Sequence, residues 1–417
     1  MKKILALVLA LCMVFALCAC GQSAAPAATE APAAAEEPAA EAPAEETPAE
    51  ETEYKVAMIT DYGDITDQSF NQTTYEACKA FAEDNGIEFN YFKPAGNTTP
   101  DRVAMIEKAV DEGYNVIVMP GYAFGGAIVE AAPEFPEVKF IALDVAKGDL
   151  LETAVADAGE TYDFNPDNWD FEQYVDMSNV YCAIYQEELC GYMAGYAAVK
   201  LGYKNLGFLG GMAVPAVIRY GYGFVQGVDA AAAELGLTDV TLNYVYGGQF
   251  FGDADITAVM DTWYSNGTEV VFACGGGIYI SACEAAQKVG GKVIGVDVDQ
   301  SGIIDGAYGE GMTVTSAMKG LYPATYDTLT DVIINGNWAN YVGKIENLGL
   351  VSGDDPEANY VQIPMTTQFE DGKFTADDYK ALVASMFDGT ITVSNDISKA
   401  ASDFATVITV NDQGAIK

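Results

Sequence analysis

The feature that most limits what this chain can fold into is a rhythm. From Tyr54 onward, short runs of β-branched and aromatic residues alternate with longer amphipathic stretches. Strand patterns fall at 54–60, 88–92, 115–120, 139–144 and 180–185, and helical patterns at 73–85, 99–112, 126–132 and 188–201 lie between and after them. The rhythm then restarts, with strands at 205–210, 240–246, 270–274 and 292–298 around helices at 216–235, 253–266 and 279–289. Strands joined through a helix run parallel, because the crossover returns the chain to the edge it started from. Two α/β lobes with doubly wound parallel sheets are therefore predicted. Such sheets bind ligands beyond the carboxyl ends of their strands, and two lobes place a cleft between them. A strand at 313–317 and helices at 322–334 and 376–387 come next. Residues 149–176, acidic and aromatic, read as an irregular surface excursion.

The loop Asp61–Gln72 leaves the first strand and opens the first helix, the place where a ligand is expected. It carries the ring of Phe70 beside the amide of Asn71, which offers donors and an acceptor. That pairing suits a planar ligand with a polar edge. Asp67 or Ser69 also fits a plain helix cap, and a cap and a ligand loop are compatible at a helix N-terminus. Asp144 and Asp297 both close strands, so both are expected at the cleft rim. Phe250, in Gly247-Gly248-Gln249-Phe250-Phe251, comes after a second-lobe strand and offers an opposing ring; Phe251 is the other candidate for that face.

Composition removes several function classes. The chain has 417 residues and no histidine, which excludes Ser-His-Asp and Cys-His catalysis and imidazole metal sites. The formal charge of −41 disfavours nucleic-acid binding. No Cys-x-x-Cys pair occurs, and Cys78, Cys182, Cys190, Cys274 and Cys283 lie among small apolar residues, so buried packing roles are expected. A Cys182–Cys190 bridge is the alternative. No metal and no cofactor is called for.

Residues 1–19 read as a signal peptide: Met1-Lys2-Lys3, then an apolar run. Its end, Leu17-Cys18-Ala19-Cys20, resembles a bacterial lipobox, which implies cleavage before Cys20 and lipidation of its thiol. Residues 20–53 form a tether rich in Ala, Pro and Glu, with nine acids and no Lys or Arg, a composition that builds no core. Residues 54–417 still hold 52 acids against 18 bases, so the acidity belongs to the folded part as well.

Five ordered stretches carry a family resemblance: Asp67-Gln68-Ser69-Phe70-Asn71-Gln72; Phe140 to Asp144; Tyr185-Gln186-Glu187 leading into Gly191-Tyr192-Met193-Ala194-Gly195; Leu206 to Gly211 with Gly223-Phe224-Val225-Gln226-Gly227; and Ile294 to Gln300 with Thr315-Ser316-Ala317-Met318-Lys319 after it. The chain resembles the basic membrane protein family of ABC-transporter substrate-binding lipoproteins, whose better-known members bind purine nucleosides. The resemblance implies a type I periplasmic-binding-protein fold whose chain crosses between lobes near Gln186, Asp299 and Tyr341. The N-terminal lobe would then be 54–186 and 300–341, and the C-terminal lobe 187–299 and 342–417.

The resemblance also implies roles. Phe70 and Phe250 would stack a base, Asn71 and Asp144 would read its edge, and Asp297 and Lys319 would hold a ribose, with Lys319 coming after a first-lobe strand. Asp67 belongs to the same ligand set. The expected protein is a monomeric, lipid-anchored receptor on the extracytoplasmic face of the cell membrane. It delivers a nucleoside to ABC permease subunits and is not an enzyme. A simple sugar or another small polar metabolite on the same fold, or a surface sensor, is the alternative; a hydrolase using Asp144 and Asp297 is a more distant one.

Overall fold

The computed structural model describes residues 53–416. The signal peptide, Cys20 and the tether as far as Thr52 lie outside the described residues. Thirteen strands are described: β1 (Lys55–Ile59), β2 (Glu88–Phe92), β3 (Val116–Pro120), β4 (Lys139–Leu143), β5 (Val180–Tyr185), β6 (Asn205–Gly210), β7 (Thr241–Tyr246), β8 (Val270–Cys274), β9 (Lys292–Asp297), β10 (Thr313–Lys319), β11 (Ile345–Leu348), β12 (Val361–Gln362) and β13 (Thr409–Ala415).

They form two sheets, in the orders β11-β5-β4-β3-β1-β2 and β12-β10-β9-β8-β6-β7-β13. The central strands are buried on both faces, as the near-continuous apolar runs require. All pairings are parallel except that of β10 with β12. Both sheets share one winding. The chain runs outward from β1 to β2 and returns past β1 to β3, and it does the same from β6 to β7 and back to β8. Each reversal opens a crevice at the strand ends.

Strand pairing corrects the expected lobe boundaries. Thr313–Lys319 joins the second sheet beside β9, and Ile345–Leu348 joins the first beside β5. The crossings fall at Gln186, at Gly320 and between Leu348 and Val361, the last two later than Asp299 and Tyr341. The cause is local. The short helix Ser301–Tyr308 leads straight back to the same sheet, and only the next helix, Leu321–Leu329, packs against Phe70–Asn85 of the first lobe. Alternation in sequence does not say which sheet a strand joins.

One further expectation changes, and the buried packing role expected of the cysteines holds. The stretch 149–176 begins inside a helix, Lys147–Asp157, which buries Leu150, Leu151, Ala154 and Val155. Beyond that helix, residues 158–176 hold only two single turns of helix, Pro166–Asn168 and Phe171–Tyr174, and are otherwise irregular. Cys182 and Cys190 are both free and buried, like the other three body cysteines, so the bridge is not formed.

In the second lobe, helices Glu187–Lys200 and Pro215–Leu235 touch backbone to backbone. A Cβ at Gly191 would lie 2.3 Å from the Tyr220 carbonyl oxygen, and one at Gly227 would lie 2.0 Å from that of Tyr192. Glycines four apart on both helices permit this approach, and it brings Glu187 and Glu188 against Arg219 and Tyr220. Gly227→Ala should therefore cost about 1–3 kcal/mol or more, by overpacking against rigid backbone, read as a lower urea midpoint.

Candidate functional site

The carboxyl edges of the two sheets face each other across a cavity of about 380 Å³. Asp67, Phe70, Asn71, Asp144, Phe250, Asp297 and Lys319 all line it. Lys319 comes to it from the second sheet, not the first as expected. Backbone strain marks the same place. Four non-glycine residues have positive φ among those described, and three of them, Gln68 (58°), Asp144 (59°) and Asp297 (65°), lie at the interlobe seam. Such conformations are held only where surrounding structure fixes them, and they cluster at functional sites.

The first-lobe loop is organised by Asp67. Its Oδ1 accepts from the backbone N–H of Ser69 at 2.9 Å and of Gln72 at 3.1 Å. Its Oδ2 accepts from the Asn71 backbone N–H at 2.9 Å and from Asn71 Nδ2 at 3.1 Å. Burial pushes its carboxyl above the ordinary aspartate value, and these hydrogen bonds oppose the shift. Both oxygens are thus engaged by their own loop. Asp67 closes the helix start and aims Asn71, the cap role the sequence also offered, while lining the cavity. The helix begins at Phe70, three residues before its sequence pattern, so Phe70 and Asn71 stand on a rigid first turn. Asn71 Oδ1 is buried and has no hydrogen-bond partner, and neither has Asp144 Oδ1.

Ser69 is not the side-chain cap. Its Oγ donates across the cleft to Asp297 Oδ2 at 2.6 Å, and Gln300 Nε2 donates to the Gln68 carbonyl at 3.2 Å. Tyr220 donates its hydroxyl to Asp297 Oδ1 at 3.3 Å. At the other end of the cavity, the Tyr62 and Tyr122 hydroxyls each approach the Met212 sulfur at 3.7 Å. Phe250 is half-buried over Gly211 and Gly275, while Phe251 is 56% exposed at the cavity edge, so the former is the fixed ring.

The charged centre is Lys319, buried in an ion pair with Asp144 of the opposite lobe. Glu187 Oε1 and Asp297 Oδ1 stand 3.6 and 3.7 Å from its Nζ. Burial alone would lower the lysine pKa, but Asp144, Asp297 and Glu187 outweigh it and hold the group above the ordinary value, fully charged. The ammonium also lies 4.7 Å from the centroid of the Phe70 ring. Behind it, Arg219 Nε donates to Glu187 Oε2 at 2.7 Å. Among the described residues, no group of three or more Cys, Asp or Glu side chains is arranged to hold a metal ion.

Sequence reasoning missed Ser69 as a cross-cleft donor, and it missed Tyr220, Gln300, Glu187 and Arg219. One signal was available. Arg219 is a charged residue near the start of a helix that is otherwise largely apolar, in a chain poor in bases.

Two doubly wound lobes joined by three crossings, with polar and aromatic side chains converging between them, define the type I periplasmic-binding fold. Solved structures share the architecture. A solute-binding protein of an ABC transporter system from Aeropyrum pernix superposes with a TM-score of 0.58 at 20% identity, over 84% of this chain and 90% of that one. One from Conexibacter woesei does so at 0.56 and 21%, over 82% and 99%.

Residues 54–354 match the Bmp family, described as ABC transporter substrate-binding protein, PnrA-like, and the chain belongs to it. It is a family of substrate-binding proteins, not of enzymes. A Lactococcus lactis protein named ABC transporter nucleoside-binding protein BmpA is 26% identical over 262 residues, 60% of this chain and 65% of that protein, just under two thirds of its length. Basic membrane protein B of Borreliella burgdorferi is 25% identical over 76% of this chain and 82% of its own. An uncharacterized lipoprotein of Pyrococcus abyssi is 24% identical over 71% and 67%.

The helix crossing behind the site also makes stability depend on pH. Burial pushes the Glu188 carboxyl from 4.5 up to about 7. Between those values the folded chain keeps a proton that the unfolded chain releases, so this group's contribution to stability falls as pH rises through the window. Glu188→Gln should stabilise the protein near pH 8, by on the order of 1–3 kcal/mol. The gain should vanish near pH 4.5. Urea unfolding of both forms across this range is the measurement.

Proposed function

We propose that this protein is a lipid-anchored receptor that captures a nucleoside, with a purine base, between its lobes and delivers it to an ABC permease. The observation that carries this reading is the pair of buried, unpartnered acceptors, Asn71 Oδ1 and Asp144 Oδ1, in a cavity flanked by the rings of Phe70 and Phe250. A base supplies N–H donors at its edge and a flat face for stacking, and burial makes an unmet acceptor costly. Asp297 and Lys319 present an acceptor and a donor for the hydroxyls of a ribose. The cavity volume of about 380 Å³ is within the usual range for small-molecule sites.

In this reading the receptor acts as a monomer, since side chains of both lobes line the cleft. Anchoring rests on the lipobox-like Leu17-Cys18-Ala19-Cys20 and on the lipoprotein name of the Pyrococcus relative. A simple sugar is the second reading, favoured by the carboxylate and lysine cluster, which would serve sugar hydroxyls equally well.

Calorimetric titration with adenosine, guanosine, inosine and free monosaccharides separates the two readings. Tight binding of sugars without nucleosides sinks the nucleoside assignment. Phe70→Ala should weaken nucleoside binding by about 1–3 kcal/mol, the worth of one base stack, with a much smaller change in thermal midpoint. Cys20→Ala should move the protein from the membrane to the soluble fraction of cells and abolish its labelling by radioactive palmitate; unchanged fractionation would refute the anchor.

A further inference from the structure

The cluster around Lys319 contains one carboxylate that the solute site does not use. Lys319 carries three N–H donors and faces three carboxylates. Asp144 and Asp297 line the cavity; Glu187 does not. Glu187 is fully buried, at the first residue of helix Glu187–Lys200, and its Oε2 is fixed by Arg219 Nε at 2.7 Å. Its Oε1 has no hydrogen-bond partner, yet it lies 3.6 Å from the lysine nitrogen. A shift of Nζ by about 1 Å would bring the two to the length of a charge-assisted hydrogen bond.

A buried carboxylate with one oxygen locked and the other just out of reach of a shared cation is costly as a purely structural element. It makes sense if the cation changes partners. A solute that donates to Asp297 Oδ1 competes for the oxygen that faces Lys319, and one that donates to the free Oδ1 of Asp144 draws on the carboxylate whose Oδ2 holds the ammonium. A buried ammonium whose carboxylates are shared with a solute loses part of their compensation. Only a carboxylate outside the cavity can compensate without competing for the solute.

We propose that Glu187, locked by Arg219, is a positioning residue for the solute site: it takes up Lys319 when a bound solute engages Asp144 and Asp297. The proposal rests on the reading of the cavity as a solute site but does not depend on which solute binds. Arg219 prevents the Glu187 carboxylate from turning away, and the glycine-mediated helix crossing holds Arg219 in place.

The test uses the wild-type protein, Glu187→Gln, and the double variant Glu187→Gln with Arg219→Gln. Each is first shown to be folded by urea unfolding. Each is then titrated calorimetrically with whichever of adenosine, guanosine, inosine, ribose or galactose the wild type binds. Glu187→Gln should weaken binding by about 30-fold or more, the usual consequence of truncating one partner of a buried charge pair. The double variant discriminates between roles. If Glu187 serves only as Arg219's structural partner, removing both charges restores binding; if it positions Lys319, binding stays weak. Should Glu187→Gln fail to fold, the double variant, which leaves no unpaired arginine, carries the test.

A second readout follows the lysine itself. The ε-carbon NMR signal of Lys319, assigned by its loss in Lys319→Met, should move when the solute is added to wild type, as Nζ changes partners, and should lose most of that movement in Glu187→Gln. Affinity within about threefold of wild type in Glu187→Gln, restored affinity in the double variant, or the same solute-induced movement of the signal in Glu187→Gln as in wild type overturns the proposal. Failure of the wild type to bind any member of the panel would instead overturn the solute reading on which the proposal rests.

Discussion

The architecture of the site depends on one buried ammonium. Lys319 ends β10, faces Asp144 across the cleft, and has Glu187 and Asp297 within 3.7 Å. Burying an ammonium away from water is expensive unless carboxylates surround it, and here they come from three separate segments of both lobes. The lysine therefore ties lobe position to charge balance. With the Ser69–Asp297 and Gln68–Gln300 hydrogen bonds, it makes the interlobe seam polar and specific, not merely apolar and sticky.

The rest of the fold supplies the means to hold this cluster. Parallel winding delivers Asp144 and Asp297 to facing sheet edges, where both adopt positive φ. The Asp67 cap sets the first turn of helix Phe70–Asn85 and so fixes Phe70 and Asn71 on a rigid element. Glycines at 191, 195, 223 and 227 bring two helices close enough for Arg219 to reach Glu187. Precise placement of a few polar groups thus relies on close apolar packing immediately behind them.

Much of this is legible in the chain itself. Period and spacing gave the two wound lobes, because apolar runs and amphipathic stretches reflect burial that every parallel sheet demands. Strand ends located Asp144 and Asp297, since the ends of strands are where such sheets present side chains. Which sheet a strand joins was not readable. β10 and β11 exchange lobes relative to expectation, since an isolated apolar strand pairs equally well with either sheet until the flanking helices pack. The helix Lys147–Asp157 was hidden by its acidic setting, although its apolar residues have helical spacing.

The sequence alone determines the class of fold and puts Asp144 and Asp297 at strand ends, because burial periodicity and strand termini are local properties. Tertiary structure alone decides which of those residues share a charge. Asp67 turned inward to cap its own helix, Ser69 reached across the cleft, and Glu187 and Arg219 came in behind Lys319. Electrostatic partnership acts through space between residues far apart in the chain, so no local pattern records it.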